Sequence, residues 1–253
     1  MRNILGASVI IINADDWGRS RTETDAALSC YKNGRITSVS AMVFMEDSDR
    51  AADLAKETGI DVGLHLNLTQ NFSGEVHVRP LREYHDHIIR YLTSNKYAFL
   101  IYNPALRKAF QYVCQAQFDQ FMRLYGKPPS HIDGHHHQHL CANMLLDRVI
   151  PTGEKEKVRR NFYFWPDEKG LMNRTYRRLV DLLLARRYRL TDYFFALSQC
   201  LQNDRLARVM ELARMATVEI MTHPENAIEH AYLMSDHYLA TLGRLEKGTY
   251  STL

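Results

Sequence analysis

The chain has no CxxC pair; its four cysteines, Cys30, Cys114, Cys141 and Cys200, are scattered across 253 residues. That spacing argues against a disulfide framework and against a thiolate zinc cluster. Four reduced thiols are expected instead, the usual state in the cytosol. No stretch approaches the roughly 20 consecutive apolar residues that a membrane span needs. Repeats, low-complexity tracts and linker-like segments are also missing, so residues 1–253 are expected to form one domain. With 45% hydrophobic and 24% charged residues, the composition is that of a globular protein and excludes disorder.

Charge of one sign is scarce overall, with a net value of only +3. It is unevenly spread, because Arg159, Arg160, Arg174, Arg177, Arg178, Arg186, Arg187 and Arg189 follow Lys155 in one stretch. Solvated helix faces are the ordinary explanation; attraction of an anionic substrate, a phosphorylated lipid carrier or a membrane surface is the other. Peripheral membrane contact is thus left open, whereas no nucleic-acid recognition motif accompanies the basic residues. At the N-terminus Arg2 precedes an apolar run from Ile4 to Ile12. The run enters Asn13-Ala14-Asp15-Asp16 without a small-residue cleavage site, so a buried first strand is expected rather than a signal peptide.

Short apolar strands alternate with amphipathic helices. Strands are expected at Ser8 to Asn13, Ile36 to Phe44 and Asp61 to Leu66, with helices at Thr22 to Asn33 and Ser48 to Thr58. A helical insertion is expected over about 74–125, including one long helix from Pro104 to Tyr125. His131 onward reads as extended, and later strands are expected at Val158 to Phe164, Thr191 to Ala196 and Thr217 to Met221. Repeated strand–helix units imply a parallel sheet in a closed or nearly closed barrel, with an open doubly wound sheet as the alternative. In both, chemistry gathers at the carboxyl ends of the strands.

The chemically unusual residues fall at those ends. Asp15-Asp16 closes the first strand, His65 lies near the end of the third, and His223-Pro224 ends the last. Between them, His131-Ile132-Asp133-Gly134-His135-His136-His137-Gln138-His139 holds five of the twelve histidines. If extended, residues 131, 133, 135, 137 and 139 would share one face. Two adjacent carboxylates after a buried strand need a cation or strong donors, and Trp17-Gly18 offers the turn that lets both reach one site. One carboxylate with two imidazoles makes a three-ligand metal site with positions open for water. A second carboxylate can then act as base and a histidine as acid. His77, His85, His87, His230 and His237 read as surface residues.

The segments NADDWG (Asn13–Gly18), GLHLNLT (Gly63–Thr69), HIDGHHHQH (His131–His139) and MTHP (Met221–Pro224) resemble those of the YdjC-like carbohydrate deacetylases. That family includes chitooligosaccharide and hopanoid-associated deacetylases. The resemblance implies an α/β fold, a distorted (β/α) barrel with the metal site at the C-terminal ends of the strands. It further implies an enzyme, in this family often a homodimer, that removes an N-acetyl group from a carbohydrate; the expected cytoplasmic location rests on the reduced cysteines. By position, Asp16, His65 and His135 match the family's metal ligands, Asp15 its general base and His223 its general acid. Arg159 matches a strand arginine that orients a carboxylate. The cofactor is one divalent ion: two imidazoles favour zinc, manganese, cobalt or iron, whereas family structures are often described with magnesium. Trp17 stands where Phe is usual and Gly134 where Ser is common, and neither change removes a ligand. The 74–125 region does not resemble the chitooligosaccharide enzymes closely, which leaves the sugar open. Alternatives are a metal-dependent phosphoesterase on the same barrel, a two-histidine-one-carboxylate iron oxygenase, and a non-catalytic binder.

Overall fold

The first strand, β1 (Ile10–Trp17), is buried along its whole length, as a strand covered on both faces requires. The computed structural model describes residues 8–150, 156–243 and 245–253; Arg2, Ile4 and Lys155, named above, lie outside them. Next come α1 (Arg21–Lys32), β2 (Ser38–Ala41), α2 (Ser48–Thr58) and β3 (Asp61–Leu66). The Ser20 hydroxyl caps α1 by accepting from Thr22 N–H, satisfying one of the amides that a helix start leaves free. Gly59 ends α2 in the left-handed conformation, φ 71°.

Between β3 and β4 (Ile132–Gly134) lie two helices, α3 (Arg79–Ser94) and α4 (Arg107–Tyr125), packed on each other. Pro104 opens a separate 3-10 turn, Pro104–Leu106, so the long helix begins at Arg107 and not at Pro104. The remaining elements are α5 (Ala142–Leu146), α6 (Leu171–Ala185), β5 (Tyr193–Ala196), α7 (Leu197–Cys200), α8 (Arg205–Ala213), β6 (Val218–Thr222), α9 (Ala227–Leu233) and α10 (Asp236–Leu242). No helix among the described residues is long and apolar enough to cross a membrane.

Among the described residues the strands form one six-stranded sheet in the order β4-β3-β2-β1-β6-β5, and every neighbouring pair is parallel. The expected strand from Val158 to Phe164 is not a ladder member. It makes isolated bridges, Ile132 with Val158 and Lys157 with Arg189. The segment still touches both edges of the sheet: Ile132 N–H donates to Lys157 O at 2.9 Å, and Tyr163 N–H donates to Phe194 O at 3.0 Å. The sheet therefore curls until β4 and β5 flank one extended segment. Strand boundaries also differ from expectation: β1 continues past Asn13 to Trp17, β2 is shorter than Ile36 to Phe44, β5 begins at Tyr193 and not Thr191, and β6 runs one residue beyond Met221.

Strand alternation sorts the residues by chemistry. Ile10, Ile12, Ala14, Val39, Val62, Leu64 and Ile220 face the helices and join the main apolar core. The concave side receives Asn13, Asp15, Ser40, His65, Asp133 and Glu219, all buried. Space there is limited. Ser40 pairs with Gly63, and a Cβ on Gly63 would sit 2.3 Å from the His131 ring. Gly63→Ala should therefore cost about 1–3 kcal/mol, the usual penalty of overpacking a filled interior, read by urea unfolding. A loss below about 0.5 kcal/mol would mean that the imidazole can step aside.

Candidate metal centre

At its carboxyl end β1 carries one residue more than its neighbour. Ala14 pairs with Val39 and Trp17 with Ala41, so Asp15 and Asp16 together oppose Ser40. This is a β-bulge, and Asp16 takes a positive φ of 63°, a region that Asp tolerates better than most residues. On a regular strand the two side chains would point to opposite faces. The bulge turns both carboxylates to the concave side. Trp17-Gly18 then sits at the middle of a turn, as expected, closed by Arg19 N–H donating to Asp16 O at 3.0 Å with Gly18 at φ 83°. Trp17 is buried, with its indole N–H donating to Ala51 O at 3.1 Å.

His65 enters from β3, and His135 follows β4 directly. Asp16 Oδ1 lies 2.9 Å from His135 Nδ1 and 3.4 Å from His65 Nε2. One donor atom from each of the three lies within 4.8 Å of the others. Burial would raise the Asp16 carboxyl, but hydrogen bonds from His135 and His65 outweigh it and hold the group well below the usual carboxylate range. His65 points its other nitrogen, Nδ1, at Asp133 Oδ1, 2.8 Å away. Burial opposes a charge on this ring, yet Asp133 and Asp15 beside it push its pKa up to about 10.

Asp15 is held from behind by Arg159, which is fully buried. The guanidinium donates to both Asp15 oxygens at 2.7 Å, a two-point grip. It also meets Asp133 Oδ2 at 2.6 Å and Glu219 Oε1 at 2.8 Å. Asp15, His65 and Asp133 form a second group with donor atoms within 4.8 Å. Arg159 already grips both of those carboxylates, whereas Asp16 gives only Oδ2 to an arginine, Arg19 at 3.0 Å, and turns Oδ1 to the two imidazoles. The Asp16, His65 and His135 group is therefore the better candidate to hold a cation.

Ser40 closes the network. Its single proton goes to Asp133 Oδ2 at 2.8 Å, so its oxygen accepts from Asn13 Nδ2 at 2.8 Å and from His131 Nε2 at 3.0 Å. His131 then carries its proton on Nε2 and accepts from Ser130 through Nδ1 at 3.0 Å. Burial lowers its pKa to about 4, keeping it neutral.

The shared histidine face is not realised. The strand stops at Gly134, and His135–Leu140 is a 3-10 segment in which His136 and His137 have φ 52° and 57°. His137 turns to Phe162, with ring centroids 4.5 Å apart, and His139 Nε2 bonds to Arg159 O at 3.0 Å. His223 does reach the same edge, because Thr222 pairs with Ala14. Its N–H donates to Glu229 Oε2 at 2.8 Å, and its ring stays outside both donor groups. His85 is not at the surface: it is buried, stacked on Phe72 and bonded to Asn67 O at 3.0 Å. Sequence reasoning passed over Glu219, although a lone acid inside the apolar strand Val218–Thr222 was a visible signal. Burial pushes its pKa up to about 7 against the pull of Arg159, and the Tyr250 hydroxyl donates to it.

A curled parallel sheet that gathers carboxylates and imidazoles at its carboxyl edge is the arrangement of an α/β protein with a candidate metal centre. Residues 9–243 match the model of the YdjC-like protein family, and the chain belongs to that family. The resemblance carried by the four motifs is thus confirmed at family level. The chain is 28% identical to the chitooligosaccharide deacetylase of Proteus mirabilis (strain HI4320) over 266 aligned residues, 98% of this chain and 92% of that protein. With the carbohydrate deacetylase of Clostridium beijerinckii it shares 35% identity over 141 residues, 54% of this chain and 53% of that one. A solved structure from Enterococcus faecalis V583, whose suggested role is cellobiose-phosphate cleavage, gives a TM-score of 0.67 over 96% of this chain and 97% of that one. At 17% identity this is a likeness of fold alone.

Removing Arg159 leaves three buried carboxylates facing one another. Arg159→Met should lower stability by about 3–5 kcal/mol, the range for breaking a buried ion pair from one side. Denaturant titration measures it, and a variant as stable as the parent would contradict the arrangement.

Proposed function

We propose that this chain is a metal-dependent carbohydrate N-deacetylase, which hydrolyses the acetamido group of an amino sugar, oligosaccharide or glycolipid. The observation that carries the reading is the bulge at Asp15-Asp16, which turns one carboxylate to two imidazoles and the other to Arg159. The deacetylase names of the Proteus mirabilis and Clostridium beijerinckii relatives agree with it.

In this reading Asp16, His65 and His135 hold one divalent ion, Zn2+ or Mg2+, and the imidazoles favour the former. Bound there, the ion supplies Lewis-acid polarisation of the acetyl carbonyl and lowers the pKa of water from about 15.7 towards roughly 7. Asp133 keeps the His65 proton on Nδ1 and so frees Nε2 as a donor, the usual task of a carboxylate behind a ligating histidine. Asp15 is the general base. The two-point grip of Arg159 fixes the plane of its carboxylate towards the attacking water. His223 is the general acid and delivers a proton to the sugar nitrogen as the C–N bond breaks. Water oxygen ends on the acetyl carbon, and acetate and a free amine leave.

Acetate release from N-acetylated sugars by metal-loaded protein tests the activity. Asp15→Asn should lower turnover by about 10²–10⁴-fold while the protein keeps its metal; normal turnover would remove Asp15 from the role of base.

Metal binding tests the ligand set separately. Because the His65 ring must shed a proton to coordinate, affinity should fall as pH is lowered, and calorimetry in buffers of different ionisation enthalpy should register proton release. His135→Ala should lose the metal, and stoichiometric retention would count against the set.

A further inference from the structure

A groove of about 630 Å³ lies beside the candidate centre, lined by His136 and His137, the two residues that follow His135. The His135 and His136 rings are 4.0 Å apart, so the groove lies one side chain away from the centre. Phe99 and Leu100, from the 3-10 turn Ala98–Leu100, form one wall, and Met172 and Tyr176 of α6 form the other. Leu140 and Phe162 complete the apolar lining. Leu100 is 52% exposed and Met172 87%, so the walls offer apolar area that nothing among the described residues covers.

Charge in the groove has one sign. Lys96, Arg160 and Arg177 line it, and no carboxylate does. Arg160 is already paired with Asp181 at 2.7 Å, which leaves Lys96 and Arg177 to meet a ligand. Asn161 in the lining is 6% exposed, and its Nδ2 has no hydrogen-bond partner among the described residues. Arg177 holds the other end of that amide, donating to Oδ1 at 3.3 Å. A buried donor without an acceptor is expensive, and an acceptor oxygen on a ligand would satisfy it. A plain oligosaccharide would leave both the exposed apolar walls and the cations of Lys96 and Arg177 unused.

Building on the deacetylase reading, we propose that this groove binds an anionic amphiphile, so that the substrate is an acetamido sugar joined through phosphate to a hydrocarbon group. The hydrocarbon lies between α6 and the Ala98–Leu100 turn, and the phosphate meets Arg177, Lys96 and Asn161. The acetamido group reaches the centre beyond His136.

Binding is measured first, without catalysis, by calorimetry with octyl phosphate, inorganic phosphate and octyl glucoside. Octyl phosphate should bind at least tenfold tighter than either control. Met172→Glu and Arg177→Gln, both on α6 and outside the candidate centre, should each weaken it at least tenfold. Acetate release from N-acetylglucosamine should stay within twofold in both variants, which shows that they fold. Kinetics then compare N-acetylglucosamine, its octyl phosphodiester, its octyl glycoside and a uridine diphosphate derivative. The octyl phosphodiester should have the highest kcat/KM, chiefly through KM. Preference for the nucleotide sugar or for the neutral octyl glycoside would overturn the proposal, as would octyl phosphate binding that both variants leave unchanged. If octyl phosphate binds as expected but no sugar loses acetate, the groove stands and the deacetylase reading fails. If every sugar is deacetylated alike and octyl phosphate does not bind, the groove fails and the deacetylase reading stands.

Discussion

One guanidinium, that of Arg159, sits without solvent among Asp15, Asp133 and Glu219. Taking several charges out of water together is expensive, and a shared counter-charge with good geometry is what makes it tolerable. The three acids come from β1, β4 and β6, and the arginine comes from the extended segment between the two sheet edges. A single cation therefore fastens four parts of the curled sheet at the level where the candidate centre lies. Glu219, with its pKa raised to about 7, eases the repulsion by holding its proton more tightly than an ordinary carboxylate.

From this core the order of the site propagates outward through hydrogen bonds. Asp133 is oriented by Arg159 and Ser40, and it in turn orients His65. Asp15 is oriented by Arg159 and Asn13. Asp16 lies one step further out, shared by His135, His65 and Arg19. The groups nearest solvent thus rest on a second row that is wholly interior. Packing inside the sheet and chemistry at its rim are the same set of contacts.

Much of this was legible in the residues. Asp61–Leu66 and Ser48–Thr58 are bounded as their patterns predict, because strand alternation, an amphipathic stripe and Gly59 all agree there. Asp16, His65 and His135 converge because parallel strands deliver their carboxyl ends to one edge. What stayed hidden depends on backbone dihedrals that side-chain patterns do not encode. The left-handed turns at His136 and His137 break an alternation that looked regular. His85 falls on a helix with polar neighbours, yet its ring enters the interior because Phe72 and the Asn67 carbonyl receive it. Arg159 sits in a run of surface-type basic residues, and although the family resemblance pointed to it as a carboxylate-orienting arginine, its reach to Asp133 and Glu219 follows only from the approach of its segment to β4.

The bulge in β1 also bears on how such a centre could be moved or acquired. Substituting acids and histidines into a regular parallel sheet would supply the same atoms but send Asp16 to the helix side, away from its partners. Transplanting the arrangement needs a change in strand length, which no exchange of side chains can imitate. Any scaffold redesigned to carry it must therefore begin with the backbone.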